Sequence, residues 1–352
     1  MKKIKCAVLG ATGVVGQNFL KLLSGHPYFE LTAICASDAR TGKKLAEIKE
    51  HVKGGIPAEF KEMTFDQNEV KALVDKGVEI AFSGLPTEIA TDIEKEAAAK
   101  GIKVFSNASS WRMDEHVPIL IPEVNYPHLE LVKTQQKSSK GFIVTNANCT
   151  TTGLTMALLP IIPFGIKKLV VASYQAISGA GYPGVPALDI NGNVIPYIKN
   201  EEPKMVAETR KICGAFSNNA IHPTDWEVFA HCVRVPTIIG HLISVHAELD
   251  KPADYESVLA GIKNYKTPAA VAGLPTTPEK PVIYLADVDR PQPRYDVNLG
   301  TPKRTRGMAV AIGRLEVNKN IIRFVTISNN LVRGAAGGSV LNAELAYRQN
   351  ML

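Results

Sequence analysis

The sequence predicts an α/β protein of two domains: a Rossmann-type nucleotide domain with a parallel sheet, then an α+β domain with a mixed or antiparallel sheet. At 352 residues, the chain is longer than one hydrophobic core usually supports. Short apolar runs alternate with helical patterns up to about residue 145, and longer strand patterns follow. The change of rhythm places the boundary at Asn148, so we expect domains of residues 1–148 and 149–330.

Alternating strand and helix patterns in the first domain are typical of βαβ units, whose helices cover a parallel sheet. The strand patterns cover residues 4–9, 31–36, 79–83, 103–105 and 142–145, and the clearest helical patterns cover residues 14–23 and 88–100.

Five longer strand patterns mark the second domain, with few helical patterns between them. They cover residues 167–175, 226–234, 241–249, 308–316 and 321–328. The final segment, residues 331–352, contains an Ala/Leu-rich helical pattern, and we expect this helix to pack back on the first domain.

Composition indicates a soluble globular protein, with 45% hydrophobic and 21% charged residues. The net charge of +6 is spread along the chain without basic blocks, which argues against nucleic acid and favours small anionic partners. The most apolar stretch, residues 154–166, is too short to span a bilayer and contains two prolines. The five cysteines lack the close pairing of zinc or redox sites, so we expect no metal and a reducing, cytoplasmic setting. Because the sequence opens directly with a strand pattern, we expect no signal peptide.

A glycine-rich run follows the first strand pattern and opens the first helix, which is where a dinucleotide fingerprint lies. Glycines allow the backbone to approach a pyrophosphate at a helix N-terminus. The alternative is that the glycines only form a tight strand-to-helix connection. The position of the run at the start of a βαβ series favours nucleotide binding. The expected contacts are Gly10, Thr12, Gly13, Val14, Val15 and Gly16.

The end of the second strand distinguishes the two nicotinamide cofactors, since an acidic residue there binds the ribose hydroxyls and a basic one binds a 2'-phosphate. Ser37 and Arg40 stand there and favour NADP, whereas Asp38 argues in the other direction. The alternative is that Arg40 belongs to a solvated loop.

Cys149 lies after a strand pattern and just before a helical pattern that starts near Thr152. A helix N-terminus favours thiolate over thiol, so Cys149 is the candidate nucleophile. Cys6 and Cys35 alternate within apolar strands and are expected to be core thiols.

A cysteine nucleophile requires a proton-exchanging group, an orienting donor and a group that binds substrate charge. The candidates are His241, Gln175 and Arg234. Arg234 and His241 stand seven positions apart across a Pro/Gly-containing turn, so both can point into one cleft. Spacing alone is equally compatible with His241 as an ordinary turn histidine and with Arg234 in a surface salt bridge.

Together these residues resemble the aspartate-semialdehyde dehydrogenase family, in particular its archaeal and fungal branch. The resemblance covers nearly the whole chain. It rests on GATGVVG at 10–16, SNAS at 106–109, IPEVN at 121–125, NANCT at 146–150, SYQAISGAG at 173–181, EEPK at 201–204, RVPTIIGH at 234–241 and NNLVRGAAGG at 329–338.

The resemblance implies that Cys149 attacks an acyl carbon, that His241 exchanges protons with the reacting oxygen or leaving group, and that Gln175 orients a thioester. The implied substrate-binding residues are Arg234 for the α-carboxylate, Glu201 for the amino group, Lys204 and Arg112 for phosphate, and Asn148. The resemblance also implies cofactor contacts from Ser83, Gly84, Ser178, Gly179 and Asn330. Asn330 is the residue that would position the nicotinamide. Trp111, beside Arg112, is larger than expected there.

The resemblance implies NADPH-dependent reductive dephosphorylation of 4-phospho-L-aspartate to L-aspartate 4-semialdehyde, a step of lysine, threonine and methionine biosynthesis. It also implies inorganic phosphate as a partner and a homodimer or homotetramer. N-acetyl-glutamyl-phosphate reductase is one alternative. Its substrate carries an acetylated amine, for which the charged Glu201 is a poor partner. Malonyl-CoA reductase is another, although its substrate needs no phosphate-binding Lys204 and Arg112. A cofactor-binding regulator would not need Cys149.

Overall fold

The structure, a computed structural model, describes residues 2–352 and shows two compact units. The first runs to Ala147 and also takes in residues 216–221 and 335–352. The second comprises residues 148–215 and 222–334.

A six-stranded parallel sheet forms the centre of the first unit, in the order β3-β2-β1-β4-β5-β6. The strands are β1 (Ile4–Leu9), β2 (Phe29–Cys35), β3 (Phe65–Asp66), β4 (Ile80–Ser83), β5 (Lys103–Ser106) and β6 (Phe142–Thr145). The helices of this unit are α1 (Val14–Leu23), α2 (Val70–Asp75), α3 (Thr87–Ala99), α4 (Pro122–Asn125) and α5 (Val132–Gln135). The predicted parallel sheet is confirmed, and β3 is an edge strand too short to give a sequence pattern.

Phenylalanine rings pack in a chain across the core of the first unit. Phe82 contacts Phe19, Phe29 and Phe105 with ring centroids 5.3, 5.8 and 5.9 Å apart. The C-terminal helix of the chain, residues 337–348, packs on α1 and β5, and its buried Glu344 lies 2.9 Å from Nε2 of the buried His26. Apolar packing and this polar contact together hold the end of the chain on the first unit.

A second six-stranded sheet, in the order β10-β7-β11-β14-β13-β12, forms the second unit. Its strands are β7 (Ile166–Ala176), β10 (Glu227–Val235), β11 (His241–Leu249), β12 (Val282–Leu285), β13 (Val310–Asn318) and β14 (Ile321–Ser328), and a small hairpin is made by β8 (Ala215–Ser217) and β9 (Ala220–His222). The edge pairs β10–β7 and β12–β13 are parallel, and the central pairs are antiparallel. The sheet is therefore mixed, as predicted.

Helices cover one face of the second sheet. The helices of the second unit are α6 (Cys149–Leu158), α7 (Ala187–Ile190), α8 (Glu201–Ile212), α9 (Tyr255–Lys263) and α10 (Pro293–Asp296). The C-terminal helix of the first unit is α11 (Gly337–Arg348). Helix α6 packs on β11, β13 and β14, and α9 packs on β12 and β13. Large apolar side chains on β7 and β10 are exposed, among them Val170 and Phe229 at 48% and 52%. Across residues 2–352, no helix is long and apolar enough to cross a membrane.

Candidate active site

Asn148 caps the helix that carries the candidate nucleophile. Its Oδ1 accepts hydrogen bonds from the main-chain N–H groups of Thr150 and Thr151, at 2.9 and 3.1 Å. Helix α6 therefore begins at Cys149 rather than near Thr152, where the sequence predicted it. The run of threonines conceals the start because β-branched residues favour strands over helices, whereas an asparagine cap overrides that preference. Cys149 stands at the first helical position.

Helix α8 holds the cap residue from a second direction. Glu201 Oε1 accepts a hydrogen bond from Asn148 Nδ2 at 2.9 Å, and Glu208 Oε2 accepts one from the Asn148 main-chain N–H at 2.7 Å. Both glutamates are buried, at 8% and 1% exposed. In a capping box, a residue of the same helix accepts the N-cap N–H; here Glu208 of another helix does so. Sequence reasoning missed Glu208, although it lies two helical turns beyond Glu201 and so shares its face.

The candidate base or acid lies against the candidate nucleophile. His241 Nε2 is 3.2 Å from Cys149 Sγ, and His241 Nδ1 accepts a hydrogen bond from the Ala176 main-chain N–H at 3.1 Å. The ring is fully buried. Burial, followed by the positive charge of Arg234, lowers the pKa of His241 to about 3, while the Gly240 carbonyl raises it to a smaller extent. His241 is therefore neutral at physiological pH.

Arg234 and Gln175 are register partners on the parallel strands β10 and β7, which places them side by side. Arg234 Nη1 donates to the Ala176 carbonyl at 2.7 Å, and Gln175 Nε2 donates to Ser173 Oγ at 3.1 Å. Burial lowers the pKa of Arg234, but a guanidinium remains charged at neutral pH. This arrangement leaves part of the Arg234 fork available for a carboxylate.

Two glycines allow the main chain to approach these side chains closely. A Cβ atom at Gly179 would lie 2.9 Å from Arg234 Nη1 and 3.0 Å from His241 Cε1. A Cβ atom at Gly334 would lie 2.6 Å from the Cβ of Cys149. The absence of side chains at both positions is thus a requirement of the packed site.

Asn330 joins two segments beside the site. Its Oδ1 accepts a hydrogen bond from the Gly240 main-chain N–H and its Nδ2 donates to Ser178 Oγ, both at 2.9 Å. It therefore fixes the residue preceding His241. Lys204, the remaining predicted residue of this unit, is half-buried near the start of α8.

The glycine-rich turn of the first unit can accommodate a dinucleotide. A Cβ atom at Gly10 would lie 2.9 Å from the Gly84 carbonyl oxygen, so the turn packs tightly against the end of β4. A Cβ atom at Gly16 would lie 2.2 Å from the Gly10 carbonyl oxygen, so the turn is also tightly packed within itself. Gly13 caps α1 without a side-chain hydrogen bond, and its Cβ position meets only the Gly10 carbonyl, at 3.6 Å. The start of α1, at Val14 and Val15 next to Thr12, thus presents main-chain N–H groups suited to a pyrophosphate.

Other predicted residues of the first unit lie on loops after strands of its sheet. Ser37 and Arg40 follow β2 and are exposed, as a 2'-phosphate contact requires. Arg112 is 8% exposed, and its Nη2 donates to the Asn107 carbonyl at 2.9 Å. Trp111 packs against the apolar core, which accounts for its size. Ser83 is buried at the end of β4.

The other four cysteines are poorly suited to nucleophilic chemistry. Burial raises the pKa of Cys35 and Cys213 to about 12 and that of Cys232 to about 11, and it raises the pKa of Cys6 further. Among residues 2–352, no three His, Cys, Asp or Glu side chains are grouped to hold a metal ion.

The chain is similar to known proteins over most of its length. Residues 5–132 match a family model described as semialdehyde dehydrogenase, NAD binding domain, and residues 158–333 match semialdehyde dehydrogenase, dimerisation domain. An aspartate-semialdehyde dehydrogenase of Archaeoglobus fulgidus is 42% identical, over 98% of each chain. A malonyl CoA reductase (NADP) of Metallosphaera sedula is 37% identical, over 100% of this chain and 99% of the relative.

A solved structure is also similar over almost the entire chain. The crystal structure of aspartate semialdehyde dehydrogenase with NADP from Candida albicans matches with a TM-score of 0.89 and 34% identity, over 99% of this chain and 100% of that one. The predicted resemblance is confirmed, and the chain belongs to the aspartate-semialdehyde dehydrogenase family.

Proposed function

We propose that the protein reduces 4-phospho-L-aspartate to L-aspartate 4-semialdehyde with NADPH and releases inorganic phosphate, as a step in the synthesis of lysine, threonine and methionine. One observation carries the proposal: Cys149 Sγ lies 3.2 Å from His241 Nε2, at the start of a capped helix. A sulfur so placed suits covalent catalysis, in which an acyl group is first transferred to the thiol.

Each residue of the second unit has a role that its contacts support. Cys149 takes the acyl group as a thioester, Gln175 orients that thioester, and His241 exchanges protons with the reacting oxygen or leaving group. Arg234 binds the α-carboxylate of the substrate, because the guanidinium fork fits a carboxylate. A buried carboxyl group at Glu201 suits the substrate's amino group.

The cap residue has little capacity left for substrate. The Asn148 side chain already accepts two main-chain hydrogen bonds and donates one to Glu201, so any substrate contact uses its second amide hydrogen. Lys204 and Arg112 are the proposed phosphate ligands, since both are cations that suit a phosphate dianion.

NADPH supplies hydride to the acyl carbon when it is bound. The glycine-rich turn at Gly10, Gly13 and Gly16 would hold its pyrophosphate, and Ser37 and Arg40 would bind its 2'-phosphate. Ser83, Gly84, Ser178, Gly179 and Asn330 are the further proposed contacts.

Malonyl-CoA reduction is the second candidate, favoured by the 37% identity to the Metallosphaera sedula relative. Malonyl-CoA offers Arg234 a carboxylate but offers Glu201 no amine. The buried Glu201 carboxyl group already accepts hydrogen bonds from Asn148 and Thr150. A substrate ammonium group would add a cation beside it, and this argues for the amino-acid substrate.

We also propose that two copies associate through the uncovered face of the second sheet. Val170 and Phe229 are about half exposed there, and Tyr174 is exposed at 39%. Contiguous apolar surface of this kind marks protein interfaces. A homodimer, or a tetramer built from it, would bury these side chains.

The reverse reaction tests the substrate. L-aspartate 4-semialdehyde with NADP should yield more than one NADPH per active site only when inorganic phosphate is present. Malonyl-CoA with NADPH, run in parallel, should show no comparable rate. Faster turnover of malonyl-CoA, or semialdehyde oxidation that ignores phosphate, would reject the proposed substrate.

A further inference from the structure

Thr150, the residue after the candidate nucleophile, has a hydroxyl group that contacts the start of helix α8. Its Oγ1 donates a hydrogen bond to Glu201 Oε1 at 3.3 Å, and the residue is fully buried. Asn148 Nδ2 donates to the same oxygen at 2.9 Å. The Asn148 side chain is itself held, because its Oδ1 accepts the main-chain N–H groups of Thr150 and Thr151. Two donors from the start of α6 therefore fix one oxygen of Glu201.

These two hydrogen bonds determine which oxygen of Glu201 can meet a substrate. A carboxylate oxygen has two lone pairs, and Asn148 and Thr150 use both lone pairs of Oε1. Within residues 2–352, Oε2 accepts no hydrogen bond, and Glu201 keeps 8% of its surface exposed. Oε2 is thus the oxygen left to accept a hydrogen bond from an ammonium group.

The charge of Arg234 gives a reason why Glu201 has to be held. Burial lowers the pKa of Arg234, and the negative charges of Cys149 and Glu201 raise it, so the Glu201 charge acts on the guanidinium. In the part of the chain that the structure describes, Arg234 and Glu201 nevertheless form no ion pair. Arg234 donates to the Ala176 carbonyl, and Glu201 accepts from α6. A carboxylate released from α6 would be drawn toward the guanidinium, and their pairing would occupy both groups that an α-amino acid needs.

We infer that Thr150 is a positioning residue for substrate selection: its hydroxyl group holds Glu201 so that the carboxylate meets the substrate's α-ammonium group and does not pair with Arg234. The inference rests on the proposed function and adds to it a residue that need not touch the substrate. Thr150 then matters only for substrates that carry the amine. This separates the role from general support of helix α6, on which every substrate would depend.

Succinic semialdehyde is the matched probe, because it is L-aspartate 4-semialdehyde without the amino group. With NADP and inorganic phosphate, each variant gives a KM for L-aspartate 4-semialdehyde and a Ki for succinic semialdehyde as a competitor. Thr150→Val keeps the branched shape and removes the hydroxyl group. We expect KM to rise about tenfold, as for the loss of a hydrogen bond to a charged group, while kcat and Ki stay within about threefold. Thr150→Ser keeps the hydroxyl group and should stay near the wild-type KM.

A second threonine of the same helix is the control. Thr155 is equally buried, and its Oγ1 donates to the Thr151 carbonyl of α6 at 2.9 Å and not to Glu201. Thr155→Val should lower the unfolding midpoint and leave KM and Ki unchanged. Glu201→Gln removes the charge and should lose the preference for the amine. Adding Thr150→Val to Glu201→Gln should then change KM little further, because Thr150 acts through that carboxylate.

Two results would overturn the inference while the proposed function stands. One is an unchanged KM in Thr150→Val, or a KM and a Ki that rise by the same factor, which would show general damage to the site. The other is an equal effect of Thr150→Val with and without the Glu201 carboxylate. Failure of the proposed function is seen separately, in the wild type. If the wild type shows no phosphate-dependent turnover of L-aspartate 4-semialdehyde, both the function and this inference are rejected.

Discussion

The contact between Glu208 and Asn148 predicts how much the start of α6 depends on a neighbouring helix. Glu208→Ala leaves the buried Asn148 N–H without its 2.7 Å acceptor. An unsatisfied buried group of this kind costs ~2 kcal/mol, and for a domain of this size that corresponds to a melting temperature lower by about 4–8 °C. Loosening the cap also weakens the helix-end stabilisation of the thiolate, so alkylation of Cys149 should slow by about threefold.

Thermal unfolding and timed labelling with iodoacetamide, read by mass spectrometry, measure the two effects. Glu208→Gln keeps an acceptor oxygen and should stay near wild type in both. Glu202→Ala is the matched control, because Glu202 lies on the same helix and accepts the Cys232 main-chain N–H at 3.0 Å. It should lose stability without slowing the labelling. Equal behaviour of the alanine and glutamine variants at position 208 would refute the reasoning.

Four further predictions concern the reaction. Cys149→Ala should abolish turnover while NADPH still binds, as judged by cofactor fluorescence; residual turnover above about 1% of wild type would argue against a covalent route. Gly179→Ala places a Cβ atom within about 3 Å of Arg234 and His241 and should raise KM and lower kcat, each by about tenfold; unchanged constants would show that the loop yields freely. Arg40→Ala should reduce the preference for NADPH over NADH by about tenfold or more in kcat/KM, and an unaltered ratio would place the 2'-phosphate elsewhere. Because the pKa of His241 is lowered to about 3, the ring stays neutral above pH 5. The pH profile of kcat/KM should therefore show no histidine ionisation between pH 5 and 8. An ionisation in that range that disappears in His241→Gln would contradict this.

Sequence periodicity predicted the strands whose side chains alternate between buried and exposed positions. It missed the elements that form only through contact with residues far away in the sequence. The prediction for residues 241–249 and 321–328 matches β11 and β14, whose alternating burial gives a clear period of two. Strand β12, by contrast, has four residues and exists because it pairs with β13. Helix α6 shows the same limit, since its start depends on a cap that a threonine run conceals.

Residue type and spacing suggested Cys149, Arg234 and His241, and the family resemblance assigned them roles. What spacing could not give was the second partner of each side chain. The Ala176 N–H that fixes the His241 ring comes from a strand 65 positions away. The Glu208 carboxyl group that holds the Asn148 N–H is 60 positions away. Such contacts arise only when the two sequence segments are brought together by the mixed sheet and the helices on it.

The acyl-enzyme itself tests the central claim most directly. The protein is mixed with L-aspartate 4-semialdehyde and NADP in the absence of phosphate, and both NADPH and intact protein mass are followed. We expect a burst of one NADPH per active site and a thioester adduct on Cys149, which added inorganic phosphate removes while steady turnover begins. NADPH formation without an adduct, or an adduct on any other residue, would contradict Cys149 as the acyl carrier.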